Sequence, residues 1–109
     1  SFAADTELFV PGDCEFTLPT DNDITVKVGE NGFTYERASG KIRFTSGTSY
    51  TPKHADKIKM RVITDVRSVE FFIADEVSAT FTDAADKKTL HIDGAEVSGT
   101  KWTLRGIWA

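Results

Sequence analysis

Asp65-Val66-Arg67-Ser68 reads as a turn carrying an acid, a base and a hydroxyl, and it leads into Val69-Glu70-Phe71-Phe72-Ile73, where a glutamate interrupts an apolar run. A carboxylate drawn into such a run costs free energy unless a cation or hydrogen-bond donors meet it. Asp65, Arg67 and Glu70 are therefore the first candidates for chemistry. Glu36-Arg37, at the end of an earlier alternating segment, supplies a second acid and base that a compact fold could bring alongside. Glycoside hydrolysis requires only two carboxylates at the right separation, but it also needs an enclosure that raises the pKa of one. A small sandwich offers little concavity for that. Sugar binding needs less, because carboxylates accept from hydroxyls, arginine donates to them, and a shallow groove suffices. The bland alternatives are an exposed Arg67–Glu70 ion pair, worth about 0–1 kcal/mol, and a solvated strand end at Glu36-Arg37.

Other chemistries find less support. Nucleophilic catalysis needs a serine or cysteine beside an oriented histidine, and neither His54, in a loop, nor His91, on the polar side of a hairpin, sits in such a motif. No H-x-H, H-x-x-x-H or C-x-x-C spacing is present, so no metal or other cofactor is expected. Asp21-Asn22-Asp23 lacks the alternating acids and closing glutamate of a calcium loop and reads as a solvated turn. Phe71-Phe72 puts aromatic rings on both faces of one strand. Either another element lies over Phe72 or a partner does. Trp102 and Trp108 read as core or interface residues rather than sugar platforms.

The elements that must position these residues are strands. Apolar residues recur at every second position in Cys14/Phe16/Leu18, Ile24/Val26/Val28, Phe33/Tyr35, Ile42/Phe44, Ile58/Met60/Val62, Val77/Ala79/Phe81, Leu90/Ile92 and Trp102/Leu104. Turn residues separate them, and Asn31-Gly32 and Asp93-Gly94 carry the signal of tight hairpins. Roughly nine short strands follow, which implies an all-β fold, an antiparallel two-sheet β-sandwich of jelly-roll or concanavalin-like type. Only residues 82–88 could make a helical turn. One-sided alternation gives each sheet a buried and a wet face, so two sheets must stack to hide both apolar faces.

Length and composition agree. A chain of 109 residues accommodates one domain, 1–109, and not two separate cores. With 39% hydrophobic and 28% charged residues and a net charge of -4 the chain is not disorder-like, and it offers no basic stripe for nucleic acid. No apolar run reaches the length of a membrane helix. The lone Cys14 cannot form an internal disulfide, so packing alone must hold the fold. The abrupt ends, Ser1-Phe2-Ala3 and Ile107-Trp108-Ala109, suggest a fragment of a larger protein.

The segment Ile58 to Ile73 resembles part of the C-terminal sandwich of glycoside hydrolase family 32, the levanases, inulinases and invertases, whose Asp-x-Ser-x-Val-Glu-x-Phe pattern is met at Asp65, Val69, Glu70 and Phe72. Tyr35-Glu36-Arg37-Ala38-Ser39-Gly40 is similar to that family's Asp-Arg-Ser...Gly strand end, with Glu36 in place of Asp. The closing Trp102-Thr103-Leu104-Arg105-Gly106-Ile107-Trp108 is similar to its terminal strand. Arg67 stands one place later than the arginine of many bacterial members, and in an extended segment that turns a side chain to the opposite face.

The family's catalytic motifs belong to a separate five-bladed propeller and are missing here, so the resemblance implies a domain that is not an enzyme on its own. It would stabilise the catalytic propeller of a fructan- or sucrose-acting parent and bind fructan through Arg37, Asp65 and Glu70, with Glu36 and Arg67 in support, much as the related carbohydrate-binding module family 66 holds levan. An extracellular or cell-surface bacterial setting goes with this reading. The alternative is an immunoglobulin-like or jelly-roll interaction module of a bacterial surface protein, with no sugar role.

Overall fold

The computed structural model describes residues 5–53, 56–97 and 99–103, with no side-chain description at 102 and 103. Among these residues alternation resolves into eleven strands, all paired antiparallel. In chain order they are β1 (Asp5–Leu8), β2 (Gly12–Pro19), β3 (Ile24–Val28), β4 (Asn31–Glu36), β5 (Lys41–Phe44), β6 (Ser49–Tyr50), β7 (Lys57–Thr64), β8 (Ser68–Ile73), β9 (Val77–Thr82), β10 (Lys88–Asp93) and β11 (Gly99–Thr103). A six-stranded sheet runs β1-β10-β3-β4-β5-β6 and a five-stranded sheet runs β11-β2-β7-β8-β9. The expected all-β sandwich is the observed architecture. β1 and β6 exceed the expected strand set: both lie at sheet edges, where a strand needs no continuous apolar row.

The inward rows form the core between the sheets. Ile24, Val26 and Val28 face Leu18, Ile58, Met60 and their neighbours with no more than a trace of exposure. Phe33 stacks edge-to-face on Phe44 within its own sheet and on Phe71 across the gap, with centroids 6.1 Å apart in each case, and Phe71 meets Phe81 at 5.8 Å. Offset aromatic contacts of this kind add about 0.5–1.5 kcal/mol each to area burial. A second inter-sheet tie is polar. The Tyr50 hydroxyl donates to Glu76 Oε1 at 2.6 Å, and the Lys53 amide donates to the same oxygen at 3.0 Å. This fastens β6 to the turn between β8 and β9 and raises the Tyr50 pKa through that bond.

Three local expectations change. The β3–β4 hairpin turns on Gly29-Glu30, since Val28 pairs with Asn31, and Gly29 supplies the positive φ of 61°. Gly32 is instead required by a close approach, because a Cβ there would lie 2.0 Å from the Val26 carbonyl oxygen. Asp93-Gly94 is no hairpin: β10 pairs with β1 and β3 while the following strand β11 joins the other sheet. Residues 83–87 form no helical turn. His54, Leu104 and Trp108, the Trp102 side chain and most of the closing motif lie outside the described residues.

Candidate functional site

The five residues expected to bind together are distributed over three places. Glu36 ends β4 on the outward face of the six-stranded sheet, and Arg37 follows it in an exposed turn where its amide donates to Asp23 Oδ1 at 2.8 Å. Asp65 and Arg67 occupy the β7–β8 turn. The Asp65 carboxylate accepts from the adjacent Val66 amide at 2.8 Å, a bond within the turn, and the Arg67 carbonyl accepts from the Asp83 amide at 2.8 Å. Glu70 is half-buried on the outward face of the five-stranded sheet, between Ile63 and Thr80 in register. Period-two geometry explains this: a residue between buried Val69 and Phe71 must point the other way, so Glu70 does not enter the core. No ion pair among the described residues joins Arg67 to Glu70.

The expected convergence fails for a geometric reason. Asn31, at the start of β4, donates to the Thr82 carbonyl beside the Asp65 turn. Glu36 is at the far end of that strand, about 16 Å away at roughly 3.3 Å per residue. Asp65 and Arg67 therefore cap one end of the sandwich and Glu36 and Arg37 the other. Phe72, half-buried on the outward face of β8, borders an open groove of about 330 Å³ with Asp75, Glu76, Val77 and Ser78, rather than with Asp65.

What the fold does assemble is a polar lane across the six-stranded sheet. Asp93, Thr25, Thr34, Arg43 and Ser49 stand opposite one another on β10, β3, β4, β5 and β6 in one continuous row. Asp93, Thr25, Thr34 and Arg43 lie out of phase with the buried residues of their strands, and Ser49 stands opposite Arg43, so the five side chains share the outward face. At roughly 4.8 Å per strand the row spans about 19 Å. Thr25 and Thr34 hydroxyls lie 3.3 Å apart. Beside them, Arg43 Nε donates to Glu36 Oε1 at 2.9 Å, and Ser39 Oγ donates to the same oxygen at 3.3 Å. The Arg43 guanidinium holds the Glu36 carboxyl below the usual carboxylate range. Both side chains remain open to solvent, 55% for Arg43 and 38% for Glu36.

The lane combines a fixed anion, a guanidinium with N–H groups to spare, and hydroxyls able to donate or accept. Lys41 faces Glu36 in register and adds a second cation. On β3, β4 and β5 the outward residues are Thr25, Lys27, Gly32, Thr34, Glu36, Lys41 and Arg43, a set that offers hydrogen-bonding groups and no aromatic ring. Farther along the same face, His91 Nδ1 and Asp5 Oδ1 lie 2.7 Å apart.

Two further charged clusters are built into the body of the molecule. On the other sheet, Arg61 Nε reaches the two oxygens of a fully buried Asp13 carboxylate at 3.1 and 2.9 Å, and that partnership raises the Arg61 pKa further. Lys88 is buried, with Nζ donating to the carbonyls of Ala85 at 2.8 Å and Asp83 at 2.9 Å and lying 3.3 Å from the Asp83 carboxylate. Neither cluster was singled out from sequence. The signal for Lys88 was present, since it is in phase with Leu90 and Ile92 and must point inward with them. Cys14 is no nucleophile: burial, aided by Asp13, pushes its thiol up to about 12. Among the described residues no group of three His, Cys, Asp or Glu could hold a metal, and no helix is long and apolar enough to cross a membrane.

No protein-family model and no curated protein matches the chain in sequence. Its structure is similar to those of galectins. Chicken galectin 2 superposes with a TM-score of 0.63 at 14% identity, covering 90% of this chain and 97% of that one. Toad ovary galectin in complex with thio-digalactose gives 0.56 at 10% identity, covering 91% and 100%, and in complex with N-acetylgalactose 0.58 at 11%, covering 92% and 99%. At such identities the likeness establishes the fold, a galectin-type jelly-roll sandwich. It corrects the family 32 resemblance, because the structural neighbours are galectins and not family 32 C-terminal sandwiches. The physical reason is that an acid at a turn followed by an alternating Val-Glu-x-Phe strand suits any hairpin of a two-layer sandwich. The propeller partner, the fructosidase parent and the fructan ligand rested on that resemblance and fall with it.

Proposed function

We propose that this chain is a carbohydrate-binding domain that holds a glycan on the outward face of its six-stranded sheet, over Thr25, Thr34, Glu36, Lys41 and Arg43. The observation that carries the reading is the Arg43–Glu36 pair, fixed at 2.9 Å yet open to solvent beside a row of hydroxyls. A sugar diol presents donors and acceptors side by side. One hydroxyl oxygen accepts from the guanidinium while a neighbouring O–H donates to the carboxylate, and such charge-assisted bonds are roughly twice as strong as neutral ones. Galactosides are the first ligands to try, because the toad ovary galectin with the same fold was solved with thio-digalactose and N-acetylgalactose.

The same pair favours binding over hydrolysis. A glycosidase acid must keep its proton near neutral pH, whereas Arg43 moves Glu36 in the opposite direction. Titration of the labelled protein with thio-digalactose and a panel of other glycans, followed by amide chemical shifts, tests the proposal. Shifts are expected at Thr25, Thr34, Lys41 and Arg43, and Arg43→Ala should weaken binding about tenfold or more, given roughly 1.5–3 kcal/mol for a hydrogen bond to a charged group. Shifts confined to other surfaces, or no response to any glycan, would remove this face as the site.

A further inference from the structure

Each sheet ends in two edge strands, and an edge exposes unpaired N–H and C=O groups that invite another strand unless something blunts it. Among the described residues, three of the four edges are blunted. β6 has only two residues. β1 carries Asp5 and Glu7. β11 carries Lys101, whose ammonium donates to the Glu7 carbonyl and sits 5.0 Å from the Phe9 ring centroid, fastening β11 to the β1 side. The fourth edge, β9, reads Val77-Ser78-Ala79-Thr80-Phe81-Thr82, six residues with no charge and no proline.

The hydrogen-bond parity of β9 is fixed by its neighbour. The Asp83 amide donates to the Arg67 carbonyl just beyond the Ser68–Thr82 pair, which makes that pair a non-hydrogen-bonded one. Counting back, the backbone N–H and C=O groups of Ser78 and Thr80 point away from β8. The inward side chains tell the same story. Val69, Phe71 and Ile73 on β8 are buried, while Val77, Ala79 and Phe81 on β9 are only partly buried against the core.

We propose that β9 is a homodimerisation edge, where two copies pair antiparallel about Ala79 and join their five-stranded sheets into one of ten. In this register Ser78 of each copy lies opposite Thr80 of the other, so both exchange their free backbone bonds. Ala79 meets Ala79, and Val77 meets Phe81, covering what remains open of the partly buried inward row. A second copy fits better than an unrelated strand because a two-fold pairing sets each residue against its own kind or its near neighbours. Charges would repel there, and β9 has none. The acids that the register brings opposite each other, Asp75 and Asp83, each have a lysine of their own at 3.5 and 3.3 Å, Lys59 and Lys88. Outward Thr82 is already served, since its carbonyl accepts from Asn31.

A single strand pair covers less than the roughly 1,200 Å² of a standard stable interface, so the dimer should dissociate on dilution. Sedimentation of the intact chain across the micromolar to millimolar range should show monomer passing into dimer. Thr80→Pro removes an N–H that β8 does not use, and Thr80→Lys sets like charges close together on the paired edge. Both should leave only monomer. Ala79→Cys should form an intermolecular disulfide under mild oxidation, because a non-hydrogen-bonded antiparallel pair brings the Cα atoms to about 4.5 Å, whereas Glu7→Cys on the β1 edge should not. A wild-type chain that stays monomeric throughout, a dimer that survives both Thr80 variants, or equal cross-linking of the two cysteine variants would overturn the proposal.

Discussion

Lys88 and Arg43 are both cations on strands of the six-stranded sheet, each facing a carboxylate, and the fold treats them in opposite ways. Lys88 is in phase with Leu90 and Ile92, so β10 carries it inward until no part of its side chain meets solvent. Arg43 lies between Ile42 and Phe44 and is carried outward. Burying an ammonium is tolerable only when its protons are satisfied, and the carbonyls of Asp83 and Ala85 with the Asp83 carboxylate accomplish that. Those bonds pin residues 83–88 against the β7–β8 turn, where the Val66 carbonyl lies 3.5 Å from Nζ. An exposed pair contributes little to stability but leaves its hydrogen-bonding groups available. One strand phase thus produces a fastener and the other a surface that a ligand can reach.

The contrast is broken most severely at Lys88. Lys88→Met keeps the length of the side chain but strips two carbonyls of their donor and leaves the largely buried Asp83 carboxylate, which keeps only the Ala85 amide at 2.9 Å, without its cation, and is expected to cost on the order of 3–5 kcal/mol. Denaturant unfolding measures it, and a loss below about 1 kcal/mol, the range of a surface pair, would mean that the buried cluster is no fastener. Arg61→Ala tests an intermediate case, because Asp13 is buried while the arginine is about half exposed. Removing the cation should cost about 2–4 kcal/mol, less than for a fully enclosed pair because water can approach from the arginine side. Equal losses for Lys88→Met and Arg61→Ala would show that burial of the acid alone decides the penalty.

The smallest effect is expected at the surface pair. Arg43→Ala should leave the unfolding midpoint nearly unchanged while the Glu36 pKa, read by carboxyl NMR, returns upward toward the ordinary glutamate value. The sign follows from the lowered pKa: the pair's contribution is present above the ordinary glutamate pKa and is lost as pH falls through the lowered folded one. A Glu36 titration that is identical with and without Arg43 would dissolve the pair in solution and weaken the proposed sugar site with it.

Much of the architecture was legible in the chain because period two is a local property. The inward rows of β3, β7 and β8 follow from Ile24/Val26/Val28, Ile58/Met60/Val62 and Val69/Phe71/Ile73 without any knowledge of neighbours. The site was less legible. Glu36 was recognised as a candidate, but its partner Arg43 lies beyond a turn and meets it only through the β4–β5 register. Asp65 and Glu70 drew attention because they interrupt or flank an apolar run, yet one caps a turn and the other points off the opposite sheet. Lys88 and Asp13 went unread because their significance depends on what surrounds them.

The amino-acid order by itself determined which side chains face inward, and therefore that two antiparallel sheets must stack. Side-chain direction alternates along an extended strand whatever lies beside it. Only the tertiary structure decided which strands became neighbours, which ends of the sandwich the acidic turns occupy, and which strands, among the described residues, end each sheet. Those outcomes depend on contacts between segments far apart in sequence, such as β10 between β1 and β3, and no local period encodes them.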